Sequence, residues 1–405
     1  MTSEQLEAKA ERLQSIVEEN TVQVHGMIPM FARASDYKLP TAEDYKGAYK
    51  HRHLQGKTEE EIGLPPMHVW RAWENTSSNT GFYLGATSYK YRCTGDPQDL
   101  AVCRRTLGAL KYIYDLGAKN DEPGFLCKPY GGKFTLQTSG DQVQCVAVGL
   151  WAYYDMAPPG DRATIDEIAR GIADYQIKYN FQARQGRYFA VTWDPEQTWK
   201  SHDWTDALIY IPVLHMAWRA TGDTKYTDQI KRLYDKCGVQ NGWGRPGGNF
   251  SGSTAFRMFY LPSLAMEFDP SNQDLWRSFM INVFTIGRTG VQDDGTYLTS
   301  WDYDASTGKS TPTNAGWGGQ ATRTGRNAIF ARACVNAQRW FPEEDMVGVA
   351  RMILERLDVD TFRFIMPLQG ETLSPEWKVE GELIDHDALT SWLWTYWEGR
   401  WRGYW

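Results

Sequence analysis

The sequence predicts an all-α protein, an (α/α)6 toroid in which six helical hairpins form an inner and an outer layer. Three observations lead there. Apolar residues recur at helical spacing along most of the 405 residues, with few strand-like alternations. Strongly apolar helices, several opening on a Ser, Thr, Asn or Asp, start near Asn79, Asp141, Asp203, Ser253, Arg323 and Asp385, in steps of 62, 62, 50, 70 and 62 residues. Each but the last ends in a turn that caps a further helix. Steps of that size exceed a tetratricopeptide or armadillo unit and suit a helical hairpin with its return loop.

The N-terminal helix is expected over roughly Glu4 to Phe31. The first inner helix begins near Asn79 in SSNTGFYLGATSYKYRCTGD and ends at Thr94-Gly95-Asp96. There the Gly can take the left-handed position and the Asp can cap the next helix. TSGDQVQCVAVGLWAYY opens the second at Asp141, and Pro158-Pro159-Gly160-Asp161 leads into DRATIDEIARGIADYQIKY, an outer helix charged on one face. SHDWTDALIYIPVLHMAWRATGD repeats the pattern from Asp203 to Thr221-Gly222-Asp223. SGSTAFRMFYLPSLAMEFDP closes at Asp269-Pro270-Ser271, and ATRTGRNAIFARACVNAQRWFP closes at Phe341-Pro342-Glu343. IDHDALTSWLWTYWEGRW, from Asp385, is the last. Six inner helices, five capped by their turns and the N-terminal one make twelve. No linker divides them, which predicts one domain over residues 1–405. An open solenoid is the alternative, but the aromatic C-terminal helix can close against the N-terminal one.

Composition narrows the function. The net charge is −7 and no block of Lys and Arg points to nucleic acid or an anionic membrane. The opening residues MTSEQLEAKAERL have no apolar core like that of a signal peptide, and no apolar run approaches a membrane span, which predicts a cytoplasmic protein. Six cysteines form no C-x-x-C pair and seven histidines no H-E-x-x-H, so no zinc site and no cofactor is expected. The loop Asp293 to Asp304, with Asp302 and Asp304, carries calcium-type ligands, although an ordinary polar loop is the simpler reading. The 18 Trp and 22 Tyr exceed what core packing asks for, and many lie beside Gly, Asn or Asp. Aromatic faces bind the C–H faces of sugar rings.

In a toroid the loops before the inner helices open on one end, so their polar residues converge on a central crater. Glu74, Asn75 and Asn79 precede or open the first inner helix, and Asp141 with Gln142 the second. His202, Asp203, Trp204 and Asp206 open the third, while Asn249, Arg257 and Tyr260 flank the fourth. Arg323, Arg326 and Asn327 open the fifth, and Glu382, Asp385, His386 and Asp387 the sixth. Trp243 in NGWGRPGGNF, Trp301 and Tyr303 in TSWDYD, and Trp317 in NAGWGGQ supply aromatic walls. Such a crater fits an oligosaccharide or polysaccharide, and Arg245, Arg257, Arg323 and Arg326 can fork onto the carboxylate of a uronic acid. Two reactions fit. Hydrolysis needs paired carboxylates, for which Asp141, Asp203 and Asp206 are placed. A β-elimination lyase would use His202, Arg257 and Tyr260, with Tyr260 as base and acid, helped by Asn249 or Gln142. Asp141 also has a plain reading, as an acidic helix cap.

With TGD ending a helix twice and an Asp opening the inner helix TSGDQVQCVAVGLWAYY, the chain resembles the six-hairpin (α/α)6-toroid carbohydrate-active enzymes, especially the unsaturated uronyl hydrolases. The resemblance implies that Asp141 protonates the unsaturated bond of a uronyl residue so that water adds. One difference is that SSNTGFYLGA carries no acid near Asn79, where two-aspartate members of that group place one. The toroid polysaccharide lyases are similar in the order and spacing of His202, Arg257 and Tyr260. The leading expectation is therefore a glycoside hydrolase of uronate-containing oligosaccharides, with a lyase second. A non-catalytic glycan-binding helical protein and an isomerase or epimerase are the remaining alternatives.

Overall fold

The computed structural model describes residues 1–21, 24–41, 69, 72–181, 183–185, 189–191, 204–237, 248–251, 262–298, 300–312, 323–324, 328–359 and 383–405. Among these, twelve helices of seven residues or more are present. The inner ones are α2 (Thr76–Thr94), α4 (Gly140–Tyr154), α6 (Trp204–Thr221), α8 (262–268), α10 (Ala328–Ala337) and α12 (His386–Trp401). The outer ones are α1 (Ser3–Thr21), α3 (Pro97–Ala118), α5 (Pro159–Lys178), α7 (Thr224–Cys237), α9 (Gln273–Gly290) and α11 (Met346–Arg356). The architecture is the (α/α)6 toroid that the helix spacing predicts.

The caps behave as their chemistry requires. Gly95 and Gly222 take φ of 65° and 69°, where a side chain would be strained. The carboxylates after them accept from the backbone: Asp96 from the N–H of Gln98 at 2.8 Å, Asp223 from that of Lys225 at 2.9 Å. Outer helices bury one face; in α1 it is Leu6, Ala10, Leu13 and Val17, at spacings of four, three and four residues.

Inner helices are buried all round. From Thr76 to Lys90 and from His386 to Gly399 every residue is buried, polar ones included. The hydroxyls return their hydrogen bonds to their own helix, as Thr80 does to the Thr76 carbonyl at 2.7 Å and Thr390 to that of His386 at 2.7 Å. Such hydroxyls can be buried in the ring without losing their hydrogen bonds, although Thr76 Oγ1 and Ser391 Oγ on the same helices have no partner among the described residues. Gly81 on α2 meets the backbone of Cys145 and of Gly149 on α4, leaving no room for a Cβ on either glycine. That contact brings the amino ends of α2 and α4 together.

Packing runs α12–α2–α4–α6 and α10–α12. Helix α8 completes the ring: Phe268 lies 4.4 Å from the His215 ring on α6, and Glu267 accepts from Asn336 on α10 at 3.1 Å.

Three expectations change. The N-terminal helix ends at Thr21, because His25 and Gly26 turn the chain at positive φ and Pro29 follows. Residues Phe31–Arg33 become strand β1, paired antiparallel with Leu383–Asp385, which numbers β9. The fifth inner helix starts at Ala328, since Arg323–Thr324 is a strand (β8) pairing with Tyr297–Leu298 (β5). The Asp293 to Asp304 loop contains β5 and strand β6, Ser300–Asp304; β6 pairs with Gly248–Ser251 (β4) and Lys309–Pro312 (β7). Ala183–Gln185 (β2) and Phe189–Val191 (β3) form another hairpin.

Candidate active site

Three inner helices meet at their amino ends through one hydrogen-bonded chain. Asn75, at the N-cap of α2, donates its amide to Asp387 Oδ2 on α12 at 2.7 Å and accepts from Gln142 Nε2 on α4 at 3.2 Å. Gln142 Oε1 in turn accepts the backbone N–H of Ser78 at 3.0 Å. That N–H is one of the orphan donors of the first turn of α2. Because Gln142 satisfies it from the neighbouring helix, Asn75 makes no cap bond of its own and its side chain is free to hold Asp387.

Asp141 is not a cap. Ser139 occupies the N-cap of α4 with extended φ/ψ of −149° and 157°, and Asp141 stands in the first turn. Its side chain is half-buried and has no hydrogen-bond or ion-pair partner among the described residues. The positive end of the α4 dipole lies behind it. Among the described residues, then, Asp141 neither caps its helix nor pairs with another side chain.

Below the rim runs the segment 27–31. The Pro29 carbonyl accepts from Asn79 Nδ2 at 3.0 Å and from His386 Nδ1 at 2.9 Å, while the N–H of His386 donates to Met30 O at 3.0 Å. Asn79 and His386 are fully buried, so these two expected sugar ligands instead hold this strap in place. Burial pushes the His386 imidazole down to about 4, and it is neutral at physiological pH. Asp385 caps α12 by accepting the N–H of Asp387 at 3.0 Å, and Glu74 pairs with Lys128 at 3.2 Å.

The thiol of Cys145 lies one turn below Asp141. Burial pushes it well above the usual thiol range; Asp141 and Asp387 add to the shift and Arg332 opposes it. Asp141, Asp387 and Arg332 therefore share one electrostatic neighbourhood. Arg332 is missing from the sequence expectation, though it has a signature: the lone charge in the apolar helix AIFARACVNA.

The other expected site residues divide. His202, Asp203, Trp243, Arg245, Arg257, Tyr260, Trp317, Arg326, Asn327 and Glu382 lie outside the described residues. For Trp204, Asp206, Asn249 and Arg323 the backbone alone is described: Trp204 opens α6 with Asp206 in its first turn, Asn249 pairs with Asp302, and Arg323 with Leu298. Trp301 is fully buried and Tyr303 is 9% exposed, so these aromatics contribute to the core beneath β6 and leave little face for a sugar. Asp304, a calcium candidate, instead accepts from Ser306 N at 2.8 Å and Thr307 Oγ1 at 2.9 Å in the β6–β7 turn. Among the described residues no three His, Cys, Asp or Glu side chains group as a metal site would require. None of the described helices is long and apolar enough to cross a membrane.

No family model and no curated protein matches the chain by sequence. Its fold does have counterparts. An unsaturated glucuronyl hydrolase specific for heparin superposes with a TM-score of 0.53 at 13% identity, covering 98% of this chain and 97% of the other. The unsaturated glucuronyl hydrolase of Streptococcus agalactiae gives 0.53 at 12% identity, over 98% and 92%. A UGL with dGlcA-Glc-Rha-Glc gives 0.55 at 14% identity, over 98% and 96%. At these identities the likeness is one of architecture: the described residues fold as the (α/α)6 toroid that these hydrolases share.

Proposed function

We propose that the protein is a glycoside hydrolase acting on oligosaccharides that end in an unsaturated uronyl residue, with Asp141 as the proton carrier. One observation supports this most: Asp141 stands half-buried at the amino end of an inner helix, with no partner among the described residues, beside the Gln142–Asn75–Asp387 chain. An unsaturated uronyl group is a vinyl ether. A carboxylic acid placed over its double bond can deliver a proton to C4, and a water that loses its own proton to the resulting carboxylate adds at C5. The hemiketal so formed opens, and the second sugar leaves with a free hydroxyl. The acid is regenerated and no cofactor is consumed. The toroid shared with unsaturated glucuronyl hydrolases, one of them with a dGlcA-terminated tetrasaccharide, agrees with this reading. The whole chain, residues 1–405, would form the catalytic unit.

The test is optical. The conjugated double bond absorbs in the ultraviolet, so unsaturated disaccharides should lose absorbance with the wild type and keep it with Asp141→Asn. A lyase makes absorbance rise with a uronate polymer. Should Tyr260→Phe be inactive and Asp141→Asn active, elimination through Tyr260, His202 and Arg257 replaces the hydrolytic reading. No change on either substrate class would point to a glycan-binding protein.

A further inference from the structure

Neither α2 nor α4 caps its own amino end. Asn75 and Ser139 stand at the two N-cap positions, and neither side chain makes a capping hydrogen bond to its own helix. A first turn without a cap leaves backbone donors unfilled and frays readily. One side chain, Gln142, the third residue of α4, reaches across to α2 and ties the two turns together. It is fully buried, accepts from the Ser78 N–H at 3.0 Å and donates to Asn75 Oδ1 at 3.2 Å. Its own backbone N–H donates to Ser139 O at 3.1 Å, which closes the turn that carries Asp141. Asp141 therefore stands between an uncapped Ser139 and a pinned Gln142.

The bonds run in one direction. A backbone N–H can only donate, so the atom of Gln142 that faces Ser78 is its carbonyl oxygen, and its NH2 is left for Asn75. Asn75 in turn presents its own NH2 to Asp387 Oδ2 at 2.7 Å. Each amide in the row has one orientation that satisfies both of its neighbours, so Gln142 is held from both ends. Gly149 lies seven residues after Gln142, close to two helical turns or about 10 Å, and there α4 packs backbone to backbone on Gly81 of α2. The glycines join the shafts of the two helices, and Gln142 carries that junction up to the rim. We propose that Gln142 is the positioning residue of Asp141: it pins the first turn of α4 and so keeps the acid aimed in one direction.

The catalytic consequence rests on the hydrolase reading, whereas the pinning does not, so the test reads the two apart. Amide hydrogen exchange is followed in the full chain for the wild type and for Gln142→Met, which keeps the length of the side chain and loses both bonds. The amides of Ser78 and of residues 142–146 should exchange faster by a factor of about ten. Unchanged exchange there in a folded Gln142→Met protein overturns the proposal. On an unsaturated disaccharide, kcat of Gln142→Met should fall by about tenfold while KM moves by less than about twofold, as when a reacting group is misaimed and binding is spared. Faster exchange with kcat unchanged overturns the positioning role. A wild type without turnover overturns the hydrolase reading instead, and exchange alone then decides whether Gln142 is the pin. If Gln142→Met does not fold, Gln142→Glu decides. A protonated glutamate can both accept from Ser78 and donate to Asn75, and an ionised one cannot donate. With an ordinary carboxyl value of about 4.3, raised by burial, its exchange relative to the wild type should be near unity at pH 4 and about tenfold faster at pH 8. The neighbouring carboxylates titrate in both proteins, so an equal ratio at the two pH values overturns the proposal.

Discussion

Asn75 and Asp387 are 312 residues apart in the chain and 2.7 Å apart in the structure. Their bond ties the start of the first inner helix to the start of the last. Asp387 is fully buried, so the amide replaces water that the carboxylate lost on folding.

Asn75→Ala should therefore destabilise the protein by about 1.5 to 3 kcal/mol, the range for a lost bond to a charged group. Gln142→Ala, which strips the Ser78 N–H of its acceptor, should be non-additive with it, since both side chains belong to one chain of bonds. Urea unfolding of the two single variants and the double checks both; strictly additive losses would mean that the chain does not act as a unit.

Asp141→Asn should change stability by less than about 0.5 kcal/mol, because the carboxylate has no described partner to lose. Turnover of an unsaturated disaccharide should fall by a factor of about 100 or more, as removal of a general acid requires. Thermal melting beside the absorbance assay separates the two effects. A large loss of melting temperature would make Asp141 a structural acid.

His215 is buried on α6 against Phe268, with neither ring nitrogen hydrogen-bonded. Burial pushes its imidazole down to about 4, although the Asp269 carboxylate pulls the other way. Below the ordinary value of 6.5 the unfolded chain binds a proton that the folded protein refuses, so stability falls as pH drops from 6.5 to about 4 and levels off beneath. His386 has the same window. His215→Phe should remove roughly half of this acid loss and match or exceed wild-type stability at pH 7, since an unsatisfied polar ring costs about 1 to 3 kcal/mol. Unfolding measured at several pH values in that window tests it, and an unchanged slope would refute it.

Lys9 clasps the outer layer where the chain closes. Its ammonium donates to the carbonyls of Leu354 at 3.0 Å and Leu357 at 2.5 Å, at the carboxyl end of α11. Burial lowers its basicity, with Arg12 contributing, against Asp358 and Glu355. Lys9→Met keeps the stem and removes the donor, and should cost about 1 to 3 kcal/mol by stripping the Leu357 carbonyl of its lysine donor, while the Leu354 carbonyl keeps the Trp392 indole N–H at 3.2 Å. Lys9→Arg should recover part of it; equal melting temperatures for all three proteins would show that the clasp contributes nothing.

Much of this architecture was legible in the chain. Thr94-Gly95-Asp96 and Thr221-Gly222-Asp223 mark helix ends because only glycine takes the left-handed turn cheaply and an Asp after it caps the next helix. Capping and period are local properties, so the spacing of helix starts revealed the layered toroid. Asp141 stands out in the sequence for the same reason, as an acid at a helix start, and the structure puts it in the first turn of α4. Sequence also marked Asn79, Trp301 and His386 as polar or aromatic groups near a rim, but not that all three are buried.

The folded ring decided what local pattern cannot express. Gly81 and Gly149 bring α2 and α4 so close that Gln142 reaches the Ser78 N–H, and this releases Asn75 to bind Asp387. Arg332 was overlooked because a single arginine in an apolar helix acquires meaning only when Phe82 and Trp394 close over it from two other helices. Helix identity follows from neighbours a few residues away. The charge state and duty of a carboxylate depend on what surrounds it in space, and those partners come from hundreds of residues along the chain.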